Sequence, residues 1–440
     1  MSSVTPQHKK IILLQAPILS RSGYGEHARL VYESLLEYEN QLNIRVSLNN
    51  WGHTPNDISY FKKYPSLRES LLDPQELNTF SYDVVVHVGI PNEFPLLTAG
   101  NNKKMVGITA GIETDIIDDS WADIPARVDA LCVVSQHAKS GFIQHARRNH
   151  TNYETEYDKK IQVIPYPVKT YELDEEDHIL EQMDLSTNFN FLSVAQMGPR
   201  KNMDLLVRAF VEEFHDEPDV GLVLKTNLVN NSRIDKEQCL NFLQRLLSNY
   251  PHRQCKIHHI HGNLNEKQLH SLYISEKIDT YVTTTHGEGF GLPIFEAAYS
   301  GLPVIAPAWS GHCDFLYAPQ TNEISKRSKM VPHFTKLKYT LEKVDPAAVW
   351  KGLITPESKW ATCDMADTKK KMRSFYVKNH NKAHTLDKKN ATLLQQYLVE
   401  NFTKDKILKL YQEQLIHKLG LLEGVQEIEE WGNFISEMIE

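Results

Sequence analysis

Short apolar runs alternate with amphipathic stretches along the N-terminal part of the chain. The runs have the length of strands that are buried on both faces of a parallel sheet. Between the first two runs, Glu26–Tyr38 carries leucine and valine at the spacing of an amphipathic helix. Strands that alternate with helices in this way predict βαβ units and a mostly parallel sheet. The predicted strands of this first series are Ile11–Gln15, Ile44–Leu48, Asp83–Val88, Lys104–Thr109, Ala130–Val134 and Ile161–Ile164.

A second series of strands and helices follows a stretch rich in proline and acidic residues. Pro165–Pro167 and the acidic run Glu172–Asp177 have the composition of a turn and a linker. We therefore predict an α/β chain of two Rossmann-like, doubly wound domains that face each other across a cleft, with ligands at the carboxyl ends of the strands. The predicted strands are Phe189–Val194, Val220–Lys225, Lys256–Ile260, Thr280–Thr284 and Pro303–Ala306, and the predicted helices include Lys201–Phe214 and Asp235–Ser248.

The last part of the chain changes in character and predicts mostly helix. In residues 421–440, apolar side chains recur at helical spacing and acidic residues occupy the other face, which predicts a terminal amphipathic helix. We place the N-terminal domain at 1–168, a hinge or linker at 169–188 and the C-terminal domain at 189–420.

Two carboxylates eight residues apart, Glu288 and Glu296, lie in the glycine-rich segment Gly287–Ala298. The apolar run before this segment predicts a strand, and the residues after the glycines predict a helix with Pro293 in its first turn. A glycine-rich turn before a helix points backbone N–H groups and the positive end of the helix dipole at an anion. Both carboxylates can reach one ligand there, the first at its near part and the second at a more distant pair of hydroxyls. This combination suits a nucleotide sugar.

Composition narrows the class of protein further. The 440 residues suffice for two or three domains, and 41% hydrophobic and 24% charged residues are ordinary values for a globular protein. A net charge of −8 argues against strong nonspecific binding to nucleic acid. No run approaches the ~18 apolar residues of a membrane helix. Five widely spaced cysteines without a C-x-x-C pair predict free thiols, and with no apolar signal segment we expect a cytoplasmic protein.

The segment Glu288–Glu296 resembles the E-x7-E signature of a retaining GT-B glycosyltransferase family, the glycosyl transferases group 1, which contains sucrose synthases and many bacterial mannosyl- and glucosyltransferases. Phe191–Asn202 resembles the turn of that family that carries an Arg-Lys pair on the diphosphate, and Ser20–Ala28 resembles its N-terminal glycine loop. Val163–Val168 is similar to its hinge. The resemblance implies a GT-B fold in which a C-terminal helix, here 421–440, completes the N-terminal domain.

The resemblance also implies which side chains act on the reacting groups. Arg200 and Lys201 would neutralise the negative charge that develops on the leaving diphosphate. Glu288 would bind sugar hydroxyls, and Glu113 would lie at the sugar end of the site. Many relatives carry a histidine in the segment that contains Glu113, whereas this chain has none, and His286 replaces a small residue that is common before the first glutamate. The candidate catalytic residues are Arg200, Lys201, Glu288 and Glu113.

A second set of residues is predicted to bind the nucleotide-sugar donor. Glu296 is predicted to accept hydrogen bonds from both ribose hydroxyls, and Lys225, at the end of a strand, to add a third cation on the diphosphate. The loop Gly23-Tyr24-Gly25 is predicted to close over the diphosphate, because glycine lets the backbone approach closely. The resemblance implies that backbone N–H groups face the sugar and the phosphate at Gly289, Phe290, Gly291 and Leu292.

We accordingly predict a retaining, metal-independent hexosyl- or pentosyltransferase that moves a sugar from a nucleoside diphosphate sugar to an acceptor hydroxyl. No Asp-x-Asp pair occurs in the sequence, so the usual metal–diphosphate clamp has no candidate, and we expect neither a metal nor another cofactor. The acceptor would be a glycan, a lipid-linked saccharide or modified DNA. The alternatives are a phage-type glycosyltransferase of hydroxylated DNA bases, a nucleotide-sugar 2-epimerase and a catalytically silent GT-B binding subunit.

Two further motifs stand apart from this function. The spacing of three histidines suggests a metal site: His258, His259 and His261. Neighbouring residues of a strand point to opposite faces of the sheet, however, so we do not expect these histidines to bind zinc. A basic tract near the C-terminus predicts either a solvated helix face or contact with an anionic polysaccharide, lipid or DNA. Its basic residues are Lys369, Lys370, Lys371, Arg373, Lys378, Lys382, Lys388 and Lys389.

Overall fold

The computed structural model describes residues 9–52, 54, 56–95, 103–148, 154–321, 327–380 and 385–422. The chain divides into two compact units. Unit 1 contains the described parts of Met1–Ile112, Ile116–Tyr166 and Lys404–Glu440, and unit 2 contains Glu113–Asp115 and the described parts of Pro167–Thr403. Each unit is built on a parallel sheet of six strands, which confirms the predicted α/β class with two Rossmann-like domains.

The sheet of unit 1 is formed by β1 (Lys10–Ala16), β2 (Leu42–Leu48), β3 (Val84–Val88), β4 (Lys104–Thr109), β5 (Ala130–Val133) and β6 (Ile161–Val163). Its strand order is β2-β1-β3-β4-β5-β6, and all neighbouring pairs are parallel. Every residue of β3 is buried, as a strand covered on both faces requires. All six strands predicted for this part of the chain are confirmed.

Unit 2 contains the strands β7 (Phe189–Gln196), β8 (Val220–Asn227), β9 (Lys256–Ile260), β10 (Thr280–Val282), β11 (Val304–Pro307), β12 (Tyr317–Thr321), β13 (Ser328–Pro332), β14 (Thr335–Leu337), β15 (Tyr339–Lys343) and β16 (Lys359–Cys363). Its sheet has the order β14-β11-β10-β7-β8-β9 and is parallel throughout. Antiparallel hairpins pair β12 with β13 and β15 with β16. The five strands predicted here are confirmed as β7 to β11.

Helices separate the strands of both sheets. Within the described residues they are α1 (Gly23–Leu36), α2 (Tyr60–Lys63), α3 (Ser66–Ser70), α4 (Ile124–Arg127), α5 (Gln136–Arg148), α6 (Glu154–Lys160), α7 (Met203–Glu213), α8 (Arg233–Leu247), α9 (Glu266–Ile274), α10 (Leu292–Tyr299), α11 (Cys313–Leu316), α12 (Met365–Asn379), α13 (Leu386–Asn401) and α14 (Lys404–Gln412). A π-helical turn over Glu413–His417 continues α14. No helix among these combines the length and the apolar composition that crossing a membrane requires.

The chain joins unit 1 again at Lys404, earlier than the predicted domain boundary at 420. The physical reason is that α14 packs against α1. There the hydroxyl of buried Tyr411 lies 2.5 Å from Nε2 of buried His27, and the side-chain amide of Gln412 donates to the carboxylate of Glu37 at 2.7 Å.

The prediction of a mostly helical C-terminal part is correct for α12, α13 and α14 but wrong for Tyr339–Cys363, where β15 and β16 form a hairpin. Both strands have five residues, and β15 is mostly exposed whereas β16 mixes buried and polar positions, so neither shows the apolar run on which strand prediction depends. The predicted helix 421–440 lies outside the described residues beyond Leu422.

Candidate active site

A strand, a glycine-rich turn and a helix follow one another from β10 to α10, as predicted. Gly291 adopts φ +96°, a backbone conformation that glycine takes without steric cost, and α10 begins directly after it with Pro293 near its start. The backbone N–H groups of Gly289, Gly291 and Leu292 have no hydrogen-bond acceptor within the described structure. Unpaired N–H groups at the start of a helix form a binding site for an anion.

A 3-10 turn over Pro199–Lys201 follows β7 and carries the two predicted cations. Hydrogen bonds fasten this turn to the segment before the glycines. The N–H of His286 donates to the carbonyl oxygen of Arg200 at 2.8 Å, and the hydroxyl of Thr284 donates to the carbonyl oxygen of Asn202 at 2.9 Å. Backbone hydrogen bonds therefore hold the turn that carries the cations next to the turn that carries Glu288.

Four charged side chains of unit 2 form an ion-pair group: Arg200, Lys201, Glu288 and Glu113. The two carboxylate oxygens of Glu288 accept from Nη1 of Arg200 at 2.8 Å and from Nζ of Lys201 at 2.5 Å. Glu113 approaches the same Nη1 at 3.3 Å. Nη1 of Arg200 also donates to the carbonyl oxygen of Gly287 at 2.8 Å. The structure thus brings all four candidate catalytic residues together.

Burial and ion pairing act in opposite directions on these groups. Burial by itself raises the pKa of Glu288, but the neighbouring Lys201 and Arg200 outweigh burial and hold that pKa well below its ordinary value. Burial likewise lowers the pKa of Arg200, and Glu113 and Glu288 outweigh it, so that the pKa lies above its ordinary value. For Lys201, burial and the charge of Arg200 prevail, and the pKa lies below its ordinary value.

The two cations keep hydrogen-bond donors that the protein does not use. Nε and Nη2 of Arg200 have no acceptor within the described structure, and Nζ of Lys201 uses one of its three N–H bonds, on Glu288. The side chain of Arg200 is 32% exposed and that of Lys201 is 13% exposed. Phosphate oxygens can therefore bind both cations while Glu288 stays paired to them.

Glu296 lies in α10, half-buried. The hydroxyl of buried Tyr273, on α9, donates to its Oε2 at 2.9 Å. Burial and the nearby carboxylate raise the pKa of Tyr273 well above its ordinary value, so the hydroxyl keeps its proton and remains a donor. Tyr273 thus orients the carboxylate that we predicted to bind ribose. Tyr273 could not be singled out from the sequence, because an aromatic residue on a helix has the same pattern as a core residue.

The segment Ser310–His312, also missed, clamps the backbone of Glu288 from both sides. The N–H of Glu288 donates to the hydroxyl of Ser310 at 2.8 Å, and the N–H of Gly311 donates to the carbonyl oxygen of Glu288 at 2.9 Å. A Cβ atom at position 311 would lie 1.9 Å from the carbonyl oxygen of Gly289, so only glycine fits there. One signal in the sequence could have located this segment, since polar residues directly after β11 lie at the ligand-binding edge of a parallel sheet.

His286, one of the two departures from the family pattern, has a structural partner. Its ring stacks on the buried ring of Trp360 at 4.3 Å, and its Nδ1 lies 2.6 Å from the carbonyl oxygen of Ala361 on β16. The same strand pairs with the segment that carries Glu113, where the N–H of Lys359 donates to the carboxylate of Asp115 at 2.7 Å. The β15–β16 hairpin therefore braces the backbone next to both carboxylates of the ion-pair group.

Two further predicted donor-binding residues, Lys225 and Phe290, have side chains that already contact other parts of unit 2. Nζ of Lys225 donates to the carbonyl oxygen of Gly262 at 2.9 Å, and the structure does not bring Lys225 into the ion-pair group. The ring of Phe290 is buried against Phe295 and Phe315, so only its backbone is left to face a ligand.

Gly23, Tyr24 and Gly25 lie in unit 1, and they form the first turn of α1 rather than a separate loop. The reason is that the hydroxyl of Ser22 caps the helix by accepting from the N–H of Gly25 at 3.1 Å. A Cβ atom at position 25 would lie 2.0 Å from the carbonyl oxygen of Ser20, which explains the glycine. The ring of Tyr24 stacks on Trp51 at 4.0 Å, so this side chain is positioned within unit 1. The predicted role of these residues at the diphosphate stays a prediction.

One group of described residues, Asp235, Cys239 and His261, has its ligand atoms close enough to hold a metal ion. Its polar atoms are already paired with each other and with the backbone. Asp235 accepts N–H groups from Val229 and two neighbouring residues, and Nε2 of His261 lies 2.8 Å from its Oδ1. Burial and Asp235 raise the pKa of Cys239 to about 11, which keeps the thiol protonated. These contacts fit a group that shapes the turn before α8 better than a metal centre.

The family comparison agrees with the geometry of unit 2. Residues 178–326, which include β7 to β11 and three members of the ion-pair group, match the sequence profile of the family Glycosyl transferases group 1. The predicted resemblance to this family is confirmed, and the match supports glycosyl transfer as the activity. A comparison with curated protein sequences finds no match to this chain.

Solved structures share the fold across nearly the whole chain. A glycosyltransferase from Rickettsia africae ESF-5 aligns with a TM-score of 0.59 at 16% identity, over 93% of this chain and 99% of its own. The Anabaena protein HepE in complex with UDP and glucose aligns with a TM-score of 0.56 at 14% identity, over 93% and 99%. A sucrose-phosphate synthase from Thermosynechococcus elongatus aligns with a TM-score of 0.56 at 14% identity, over 92% and 99%. The chain therefore has the GT-B fold.

Proposed function

We propose that the protein transfers a sugar from a nucleoside diphosphate sugar to an acceptor hydroxyl, with retention of configuration and without a metal ion. The observation that supports this most is the pair Arg200–Lys201, which binds the carboxylate of Glu288 and still has donors without acceptors in the described structure. The unpaired N–H groups at the start of α10 follow Glu288 directly in the chain. A diphosphate offers oxygens to both sets of donors.

The proposed reaction breaks the bond between the anomeric carbon and the β-phosphate oxygen, and the electron pair of that bond stays on the phosphate. Arg200 and Lys201 offset the negative charge that grows there. The acceptor oxygen forms its bond on the same face of the anomeric carbon, and its proton passes to the departing phosphate. In this proposal Glu288, which pairs with both cations, and Glu113, which pairs with Arg200, lie at the sugar end of the site.

The test is a panel of UDP-, GDP-, ADP- and dTDP-sugars, scored by thermal shift and by release of the nucleoside diphosphate. UDP-glucose is the first donor to try, because the Anabaena protein of the same fold was solved with UDP and glucose. We expect the sugars of one nucleotide to raise the melting temperature of the protein. Without an acceptor, the protein should hydrolyse that nucleotide sugar slowly. Binding of none of the four would contradict the proposal, and release of a free 2-epimer would favour the epimerase.

Metal independence leads to a separate prediction. We expect turnover to persist in excess EDTA, because Arg200 and Lys201 supply the positive charge that a divalent ion supplies elsewhere, and the sequence has no Asp-x-Asp pair to hold such an ion. The measurement compares initial rates in EDTA with rates after addition of magnesium or manganese. Loss of turnover in EDTA that either metal restores would show that the diphosphate site has been assigned wrongly.

A further prediction concerns Glu296. The substitution Glu296→Ala is expected to weaken binding of the free nucleoside diphosphate by about 1.5–3 kcal/mol, because two ribose hydroxyls lose a charged acceptor. That loss corresponds to a dissociation constant roughly 10- to 150-fold higher, measured by isothermal titration. Tyr273→Phe removes the donor to Oε2 and should cause a smaller loss in the same direction.

The matched control for this prediction is Glu237→Ala, which removes an exposed carboxylate from α8, another helix of unit 2. It should leave the dissociation constant unchanged. If Glu296→Ala also left it unchanged, the carboxylate would not contact the ribose, and its role would be structural, as in its contact with Tyr273 in α9.

A further inference from the structure

A cavity of about 730 Å³ lies in unit 2, between the edge strand β14 and the C-terminal half of α12. Four lysines line it: Lys336, Lys338, Lys371 and Lys378. No residue of the ion-pair group or of α10 contributes to its lining, so it is separate from the candidate active site. We call it the lysine pocket.

The lysines reach the pocket from two elements. Lys336 and Lys338 are two residues apart at the edge of the sheet, and residues two apart in an extended chain lie on one face. Lys371 and Lys378, together with Ser374 between them, follow the i, i+3, i+7 spacing of one helix face. Two independent elements therefore direct like charges into one concavity, which concentrates the positive potential there.

Two basic residues of α12 are paired, whereas the others, including Lys370 outside the pocket, have no ion pair within the described structure. On one side of the helix, Lys369 pairs with Glu212 at 3.0 Å, and Arg373 pairs with Glu213 at 2.8 Å and with Glu217. The four lysines of the pocket have no ion pair within the described structure. The lysines of the pocket therefore have no ion-paired partner in the described structure, although an unpaired charge on α12 is not confined to the pocket.

Among the described residues one carboxylate, Asp387, lines the pocket, and it offsets one of the four lysine charges. Oδ2 of Asp387, at the start of α13, accepts a hydrogen bond from the side-chain amide of Asn379 at 3.1 Å. Lysines on an edge strand prevent strand pairing between molecules, which is a sufficient reason for Lys336 and Lys338. It gives no reason for the half-buried Lys371 on the facing helix, whereas Lys378 is exposed.

We propose that the lysine pocket binds a compact ligand with two or more phosphate or sulfate groups. Lysine ammonium groups bind such oxyanions as point charges, and the hydroxyls of Thr335 and Ser374 add neutral donors. The oxyanions belong either to a small free oligophosphate or to a segment of a longer anionic chain that passes through the pocket. The lysines would bind the oxyanions of either ligand in the same way, and titration with short and long polyphosphates distinguishes the two.

The test is isothermal titration of the full chain with inorganic tripolyphosphate, for the native protein and for the double variant Lys371→Gln, Lys378→Gln. These lysines have no protein partner to lose, so the variant should melt at the native temperature. Because tripolyphosphate also suits the cations of the candidate active site, the titration is repeated in a Lys201→Gln chain. The control is Lys236→Gln, Lys256→Gln, which removes two exposed lysines of unit 2 from outside the pocket.

We expect the pocket variant to bind tripolyphosphate at least tenfold more weakly at the site that survives Lys201→Gln, and the control to bind as the native protein does. Inorganic polyphosphate of long chain length should bind as tripolyphosphate does if the ligand is small, and more tightly if it passes through the pocket. Equal binding by the pocket variant and the native protein, or equal losses in the variant and its control, would overturn the proposal. If the Lys201→Gln chain bound as many tripolyphosphate ions as the native protein, the assignment of the diphosphate site to Arg200 and Lys201 would be wrong, and the lysine pocket would be unaffected.

Discussion

Replacing Lys201 with alanine is expected to lower turnover at saturating donor by about 10²–10³-fold, the usual effect of removing one electrostatic donor from a transition state. Charge on the β-phosphate grows as the glycosidic bond breaks, so a cation there is worth more in the transition state than in the ground state. Nζ of Lys201 lies 2.5 Å from Glu288 and has two further N–H bonds for the phosphate. Donor affinity should fall much less than turnover.

The control for this prediction is Lys256→Ala, which removes an exposed lysine from β9. Steady-state kinetics over a range of donor concentrations separate the two effects, because a residue that only binds the donor raises KM and leaves kcat intact. If Lys201→Ala had only that effect, Lys201 would be a binding residue. Thermal unfolding of each variant shows whether the loss reflects chemistry or a lower folded fraction.

The substitution Glu288→Gln is expected to lower the free energy of unfolding by about 3 kcal/mol near neutral pH, at the lower end of the range for breaking a buried ion pair. The side chain of Glu288 is 8% exposed and pairs with both cations, so the neutral amide leaves Arg200 with Glu113 and leaves Lys201 without an ion pair among the described residues. Glutamine keeps the shape of glutamate, and the change is therefore mainly one of charge. Urea denaturation measures it.

The pH dependence of this effect has a definite sign. A carboxyl whose pKa is lower in the folded than in the unfolded state stabilises the fold above its ordinary pKa of 4.5, and this contribution is lost as the pH falls below that value. The difference between the native protein and the Glu288→Gln variant should therefore shrink from about pH 4.5 downward. A constant difference down to about pH 3.5 would contradict the assignment of Glu288 as a buried ionised group. The exposed Glu237→Gln variant, the matched control, should show little difference at any pH.

The main strands were predictable because of where they lie. A parallel strand covered on both faces needs a continuous apolar run, and β1 and β8, for example, show one in the sequence itself. The hairpins β12–β13 and β15–β16 are partly exposed, so their residues alternate less regularly and escaped prediction. The edge strand β14 has three residues, too few to produce a pattern.

The sequence by itself determined the local parts of the candidate site. Arg200 and Lys201 are adjacent after a strand, and Glu288 and Glu296 flank the start of one helix, so their proximity follows from short-range geometry. Tertiary structure alone decided that Glu288 pairs with both cations, because those residues meet only where β7 and β10 lie side by side in the sheet. It also decided which residues support them: Tyr273 behind Glu296, Ser310 and Gly311 around Glu288, and Trp360 against His286. Such contacts join distant parts of the chain, and no local pattern of apolar and polar residues records them.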